Sequence, residues 1–108
     1  MFYPILRMSQ WCWSHHLVKF GSLFDRLNRI ICTADVPGCT KIAKNVAFPH
    51  GALGVVVNSN STIGEGCVVN AKVTLGSGFP HDGAPTLGSH VWVGVGAFIG
   101  GGFLWLTM

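Results

Sequence analysis

Charged side chains are scarce in this 108-residue sequence, and their scarcity argues against several classes of function. Only 10% of the residues are Asp, Glu, Lys or Arg. The seven Lys and Arg are scattered, without a basic stripe or an alternation of basic and aromatic residues. A nucleic-acid-binding face needs such a concentration of positive charge. We therefore expect no nucleic-acid partner.

The cysteine spacing of a zinc site or of a disulfide framework is also missing. The sequence contains four cysteines and no C-x-x-C pair: Cys12, Cys32, Cys39 and Cys67. We expect reduced, packed thiols and no bound metal. The first ten residues lack a basic segment that leads into an apolar core with a small-residue cleavage site, so we expect a cytoplasmic protein.

One uncharged run, residues 91–108, is long enough for a membrane helix. It contains five glycines, however, and most of it follows the six-residue period described next. A membrane helix has no reason to keep such a period. We therefore expect no membrane partner.

Glycine and aliphatic residues are abundant, and they recur with a period of six. Each repeat begins with an apolar guide residue that is followed by a small or polar one. A six-residue period is neither helical nor that of a simple hairpin, and it predicts a chain that winds around a triangular prism with about 18 residues per coil. The guide residues are Val36, Ile42, Phe48, Val57, Ile63, Val69, Leu75, Leu87, Val93 and Ile99.

The period is interrupted twice, and a histidine lies in each interruption. The stretch FPHGALG, which contains His50, adds three residues to one repeat and predicts a bulge. The stretch GSGFPHDGAPT, which contains His81, replaces a repeat with Gly, Pro and Asp and predicts a protruding loop. Such projections from a repetitive scaffold commonly carry binding residues.

Before the repeats, apolar residues recur at steps of three and four between Leu17 and Ile31. This spacing predicts a short amphipathic helix that caps the first coil and covers its open edge. We accordingly divide the chain into a helical cap at residues 1–33, a repeat domain at residues 34–102 and an apolar tail at residues 103–108.

With the repeats, bulge and loop in place, the sequence resembles the hexapeptide-repeat acyltransferases, and most closely the serine acetyltransferases. The resemblance covers about residues 34–102. Its motifs are ADVP (34–37), FPHGALGVVVN (48–58), STIGEGCVVNAKVTLG (61–76) and PTLGSHVWVGVGAFIGGG (85–102). It implies a mainly β protein, a left-handed parallel β-helix with a short N-terminal α-helix.

The resemblance also implies an activity. The protein would transfer an acetyl group from acetyl-CoA to a hydroxyl of a small polar acceptor, as a homotrimer with active sites between subunits. His50 would be the general base and Asp35 the carboxylate that orients it. His81 would line the acceptor pocket, and the pantetheine arm of acetyl-CoA would lie along Gly76, Gly94 and Ala97.

The chemistry implied for His50 and Asp35 is reasonable in itself. Attack of an alcohol on a thioester requires removal of the hydroxyl proton, and imidazole can accept that proton near neutral pH. A carboxylate on the other ring nitrogen fixes the tautomer and stabilises the imidazolium. The loop before Pro85 lacks the Arg-His pair that holds the substrate carboxylate in serine acetyltransferases, so the acceptor stays open.

Two other interpretations remain. The chain could be a truncated, non-catalytic β-helix that serves as an assembly or binding module. It could also resemble the γ-class carbonic anhydrases, with His50, His81 and His90 as metal ligands across subunits, although the spacing of these histidines does not suit that family.

Overall fold

The computed structural model describes residues 1–76 and 83–100 together with the backbone of residues 104–105. Two helices come first, α1 at Phe2–Ser14 and α2 at Val18–Cys32. Short strands follow, and a 3₁₀ segment at Pro49–Ala52 lies between the first two. In the described ranges the strands are β1 (Lys41–Ile42), β2 (Val56–Val57), β3 (Thr62–Ile63), β4 (Val68–Val69), β5 (Thr74–Gly76), β6 (Thr86–Leu87), β7 (Trp92–Val93), β8 (Phe98–Gly100) and β9 (Leu104–Trp105).

The strands form three small parallel sheets, one for each side of a prism. Their orders are β1-β3-β6-β9, β2-β5-β8 and β4-β7. From β2 onward the chain visits the three sheets in a fixed cyclic order, so each strand pairs with the one three strands later. This arrangement confirms the triangular coil that the six-residue period predicts.

The pairing register locates both interruptions of the repeat. Val56 pairs with Thr74, so an uninterrupted coil takes 18 residues. Lys41 pairs with Thr62, so the coil that contains the 3₁₀ segment takes 21. Thr62 pairs with Thr86, so the coil that contains residues 77–82 takes 24. The bulge therefore inserts three residues and the loop six, and the flanking strands keep their alignment.

The guide residues form the core, as predicted. Because strand residues alternate between the two faces, one residue of each strand points into the prism. The inward residues of β2 to β8 are each at most 4% exposed: Val57, Ile63, Val69, Leu75, Leu87, Val93 and Ile99. Burying each such side chain stabilises the fold by roughly 1.5–3 kcal/mol.

Close stacking of the coils explains one of the corner glycines. Gly64 lies against the backbone of Gly88 in the next coil. A Cβ on Gly64 would come within 2.6 Å of the Gly88 carbonyl carbon, a contact that neither backbone can relieve. Glycine is therefore required at this corner by contact between coils.

The helical region differs from the prediction of one helix. Two helices are present, and α1 is the one that covers the first coil, because its Phe2 and Leu6 are buried in the same core as Val36 and Phe48. The apolar repeat that predicts a helix begins at Leu17, so it does not include α1. Helix α1 was missed because its buried positions include the polar Ser9.

The predicted orientation of α2 was wrong. Its buried residues are Gly21, Asp25 and Asn28, whereas Phe20 and Ile31 from the apolar repeat are 58% and 55% exposed. Glycine lets the helices approach closely, since a Cβ on Gly21 would lie 2.8 Å from the indole ring of Trp13. The polar side of α2 therefore faces α1.

Buried Asp25 explains this reversal, because it is hydrogen-bonded to three partners. The Ser9 hydroxyl and the Gly38 backbone N–H, at 3.0 Å, both donate to Oδ1. The Trp13 indole N–H donates to Oδ2 at 3.1 Å. A buried carboxylate is tolerated when hydrogen bonds satisfy it. Asp25 thus joins α1, α2 and the first coil at one point.

The end of the chain also departs from the predicted apolar tail. Strand β9 pairs with β6, with Leu104 opposite Thr86 and Trp105 opposite Leu87. Trp105 lies six positions after Ile99, so the repeat continues further than the predicted boundary at residue 102. The described backbone thus extends the first sheet to a fourth strand.

The four cysteines carry no disulfide, and Cys12 and Cys67 are buried. None of the helices among the described residues combines the length and apolarity that crossing a membrane requires.

The Asp25→Ala variant is expected to lower the free energy of unfolding by about 3 kcal/mol, because three donors would lose a charged acceptor. Urea denaturation followed by circular dichroism measures the change. The control is Arg26→Ala, an exposed neighbour on α2 that should change stability by less than about 0.5 kcal/mol. A loss below about 1 kcal/mol for Asp25→Ala would show that the carboxylate does not hold the helices to the coil.

Candidate functional site

The bulge presents His50 to solvent through a left-handed backbone turn. His50, Gly51 and Ala52 have φ of 59°, 63° and 59°, and His50 is exposed whereas Ala52 is fully buried. Left-handed backbone costs roughly 1–2 kcal/mol for a residue that carries a Cβ. Such strain is typical of functional segments held by their surroundings. The bulge therefore combines a solvent-accessible imidazole with a fixed backbone.

Both ends of the bulge are tied down. On one side, the Tyr3 hydroxyl accepts a hydrogen bond from the Phe48 N–H at 2.8 Å and donates to the Phe48 carbonyl at 3.3 Å. The Phe2 ring packs edge-on against Phe48, with centroids 5.2 Å apart. On the other side, the Gly54 N–H donates to the Thr33 carbonyl of the coil below at 3.0 Å.

Asp35 lies on the coil below the bulge. Its backbone bridges Val56, with the Asp35 N–H donating to the Val55 carbonyl at 2.8 Å. The bulge therefore ends where the strand stacked on Asp35 begins. Its carboxylate contacts Arg29 at 3.4 Å in a solvent-exposed pair, and among residues 1–76 and 83–100 no hydrogen bond joins Asp35 to His50.

The three small residues assigned to a cofactor groove lie at two places on the outer wall. Gly94 and Ala97 share the turn between β7 and β8, where the Ala97 N–H donates to the Gly94 carbonyl at 3.2 Å. Gly76 ends β5 and pairs with Gly100 of β8. All three are partly accessible.

Aromatic rings lean over these glycines. A Cβ on Gly76 would lie 3.2 Å from the Phe98 ring, and one on Gly94 would lie 3.3 Å from the Trp92 ring. Phe98 and Trp92 are themselves 67% and 56% exposed. At each of the two places, an exposed aromatic ring therefore lies beside glycine backbone.

The structure describes one of the two remaining candidate histidines, His90, and not the other, His81. His81 lies outside the described residues. His90 is exposed on a corner with φ of 58°. Among residues 1–76 and 83–100 there is no group of three His, Cys, Asp or Glu side chains that could hold a metal ion.

A cleft that no sequence motif predicts lies between α1 and the first coil, with a volume of about 600 Å³. It is lined by Tyr3, Leu6, Arg7, Gln10, Ile42, Ala43, Lys44, Asn45, Val46 and Phe48. The cleft adjoins Tyr3 and Phe48 at the base of the bulge, but His50 does not line it. Residues so far apart in the sequence carry no common motif, so only the packing of α1 against the coil creates the cleft.

Cys39 is exposed, but its environment does not favour a nucleophilic thiolate. Desolvation of the thiol, and secondarily the negative charge of Asp25, raise the pKa of Cys39. Reactive cysteines have the opposite environment, with positive charge nearby. We assign no catalytic role to this residue.

The structure resembles those of serine acetyltransferases, which belong to the hexapeptide-repeat acyltransferase family and have a left-handed β-helix fold. Isoform 3 from Entamoeba histolytica, solved with cysteine, has a TM-score of 0.84 and 25% identity over 95% of this chain and 37% of its own. The Brucella abortus enzyme, solved with coenzyme A, has a TM-score of 0.85 and 21% identity over 94% of this chain and 41% of its own. The soybean enzyme, solved with serine, has a TM-score of 0.80 and 22% identity over 95% of this chain and 49% of its own.

This chain thus spans less than half the length of these solved enzymes. No family model matches the sequence, and no curated protein matches it. The structural neighbours agree with the fold that the sequence motifs imply.

The Tyr3→Phe variant tests the anchor of the bulge. It keeps the aromatic ring and removes both hydrogen bonds to Phe48, so the free energy of unfolding should fall by about 1 kcal/mol. Hydrogen exchange at the Phe48 amide should accelerate, as measured by nuclear magnetic resonance. In the control, Ser14→Ala removes an exposed hydroxyl bonded to the Trp11 carbonyl and should leave Phe48 unaffected. Unchanged exchange at Phe48 in Tyr3→Phe would refute the anchor.

Proposed function

We propose that this chain is an acetyl-CoA-dependent O-acetyltransferase, similar to serine acetyltransferases, in which His50 is the general base. The observation that carries this proposal is the position of His50. It is an exposed imidazole on a strained, anchored bulge in a fold shared with serine acetyltransferases. The bulge that carries it is held on each side, by Tyr3 at Phe48 and by Thr33 at Gly54.

In the proposed reaction, a His50 ring nitrogen accepts the proton of the acceptor hydroxyl while the oxygen of that hydroxyl attacks the thioester carbonyl. The bond between the acetyl carbon and the CoA sulfur then breaks, and the new ester bond remains. The imidazolium returns the proton to the departing thiolate. The net products are the O-acetylated acceptor and CoA, with no proton gained or lost by the protein.

Asp35 is proposed to orient the imidazole through the other ring nitrogen. It lies one coil below the end of the bulge, and its present partner, Arg29, is 61% exposed. Exposed ion pairs contribute about 0–1 kcal/mol, so the carboxylate can exchange Arg29 for the imidazole at small cost.

Acetyl-CoA is proposed to lie along the wall at Gly76, Gly94 and Ala97. These residues fit pantetheine by their size, because Gly76 and Gly94 carry no side chain and Ala97 carries only a methyl group. Small residues permit close approach of an extended chain such as pantetheine. The Brucella abortus neighbour was solved with coenzyme A.

A homotrimer is part of the proposal. Trp92, Val95 and Phe98 form an exposed apolar patch beside the proposed groove, and patches of this kind mark interaction surfaces. Covering them with a neighbouring subunit would enclose the groove. The loop between Gly76 and Thr86, with His81, would then reach the acceptor from that neighbour.

The acceptor that we propose is a small polar molecule with a hydroxyl group. Serine was present in the soybean neighbour and cysteine in the Entamoeba one, and both are small molecules of this size. The missing Arg-His pair before Pro85 leaves a serine carboxylate without its usual partner. We therefore extend the acceptor class to hydroxyls without a neighbouring carboxylate.

One observation favours a non-catalytic module instead. Within residues 1–76 and 83–100, the carboxylate of Asp35 is bonded to Arg29 and not to His50. A binding or assembly module would not need contact between Asp35 and His50. Binding of acetyl-CoA separates the two functions.

His50→Gln is expected to lower kcat by about 100- to 10,000-fold, because the general base is lost. Asp35→Asn should lower it by a smaller factor. The control is His90→Gln, since His90 is also an exposed histidine in a left-handed turn, and it should retain full activity. CoA release is measured with a panel of hydroxyl acceptors. Equal activity of the His50 and His90 variants would exclude the proposed base.

Calorimetric titration with acetyl-CoA should give saturable binding, and Gly94→Ala should weaken it about tenfold by filling the space over the wall. The fold should tolerate this change, because only the exposed Trp92 ring lies near the new methyl group. Ser14→Ala serves as the control, since Ser14 is exposed at the end of α1 and is not part of the proposed groove. Absence of binding in the unsubstituted chain would favour the non-catalytic module.

A further inference from the structure

The outward face of α2 is apolar. Phe20, Leu23, Ile30 and Ile31 are 50–77% exposed, and Val18 is 51% exposed. Monomeric proteins rarely leave a contiguous row of large apolar side chains in water, so such a row indicates a partner. The other side of the helix is already occupied, because Gly21, Asp25 and Asn28 face the interior.

The charges on α2 are of one sign. Its exposed charged residues are Lys19, Arg26 and Arg29, of which Arg29 contacts the Asp35 carboxylate at 3.4 Å. Its single acid, Asp25, is buried against α1. In residues 1–33 Asp25 is also the only acid. The outward side of α2 therefore carries positive charge and no carboxylate.

Apolar and basic residues occupy adjacent strips of the same helix. At 100° per residue, Leu23 and Ile30 lie in one line, because they are seven positions apart, and Phe20 lies beside them. Lys19 and Arg26, also seven apart, form a parallel line at the edge of the apolar strip. Helices with this arrangement lie in the membrane interface, with the apolar strip in the acyl boundary and the basic strip at the headgroups.

A second copy of the same face fits less well. Pairing two α2 helices through their apolar strips would bring two sets of cations together, and like charges oppose association. An anionic bilayer can accommodate both strips at once. Its acyl boundary takes the apolar strip, and its headgroups neutralise the cations. The helix is also too short and too polar to cross the bilayer, which agrees with a position on its surface.

We propose that the outward face of α2, defined by Phe20, Leu23 and Ile30 with Lys19 and Arg26, binds the surface of an anionic phospholipid bilayer. This interaction is separate from the proposed acetyl transfer and does not depend on it. It differs from the expectation of no membrane partner, which rests on the absence of a spanning helix pattern in residues 91–108.

Co-sedimentation with lipid vesicles tests the proposal. The full chain is mixed with vesicles of phosphatidylcholine alone or of phosphatidylcholine with about 30% phosphatidylglycerol, whose headgroups supply negative charge. Saturable binding is expected to the anionic vesicles, much weaker binding to the neutral ones, and release as salt is raised from about 0.05 M to about 0.5 M. No binding to anionic vesicles at low salt would overturn the proposal.

Two double variants locate the binding surface. Lys19→Gln with Arg26→Gln should weaken binding to anionic vesicles about 30-fold, because each cation contributes about a factor of five near the surface. Leu23→Ser with Ile30→Ser should weaken it at least as much by removing the apolar contact. The matched control, Lys41→Gln with Lys72→Gln, removes two exposed lysines from the coils and should bind within about threefold of the unsubstituted chain.

Circular dichroism and urea midpoints should show that all the variants fold, since every substituted side chain is exposed. Equal weakening by the coil control would indicate attraction by net charge alone and would contradict the proposal. The proposal would also fail if Leu23→Ser with Ile30→Ser changed the oligomeric state in the absence of vesicles. That result would mean that a second copy covers the face.

Discussion

Successive coils of this chain must stack with an inward apolar residue above an inward apolar residue, because the parallel backbone ladder fixes which residues lie over one another. Every other feature of the domain conforms to that constraint. The bulge and the loop add three and six residues to their coils, and Val56 still meets Thr74 while Thr62 still meets Thr86. The insertion at the bulge preserves the ladder and leaves His50 exposed on the outside of the coil.

The helical region satisfies a different constraint, that of one buried carboxylate. Asp25 needs donors, and it obtains them from Ser9 and Trp13 of α1 and from Gly38 of the first coil. Meeting this need turns the polar side of α2 inward. Phe24 and Leu27 are then half-buried, and Phe20, Leu23 and Ile30 are left exposed. The same interaction that fixes the helices to the prism therefore creates the exposed face for which we propose a bilayer. Structure and recognition are linked here through a single side chain.

The candidate site draws on both parts of the molecule. The wall supplies Asp35 and the small residues Gly76 and Gly94, whereas α1 supplies Tyr3, which holds Phe48 at the base of the bulge. His50 can remain in a left-handed turn because the segments on both sides of it are bonded to neighbours. Loosening either support would let the backbone relax to a lower-energy conformation, and the imidazole would lose its fixed position. The fold is that of serine acetyltransferases, and the exposed histidine is what gives it a possible chemistry.

The sequence by itself determined the three-sided coil, its buried guide residues and the two interruptions, because a repeat of six specifies locally which residues share a side. It could also have located β9, since Trp105 lies six positions after Ile99. Only the tertiary structure decided which side of α2 is buried, that α1 covers the first coil, and that Tyr3 anchors the bulge. Periodicity defines the faces of a helix, but the inward face is chosen by partners such as Ser9 and Gly38, which are distant in sequence and adjacent only after folding.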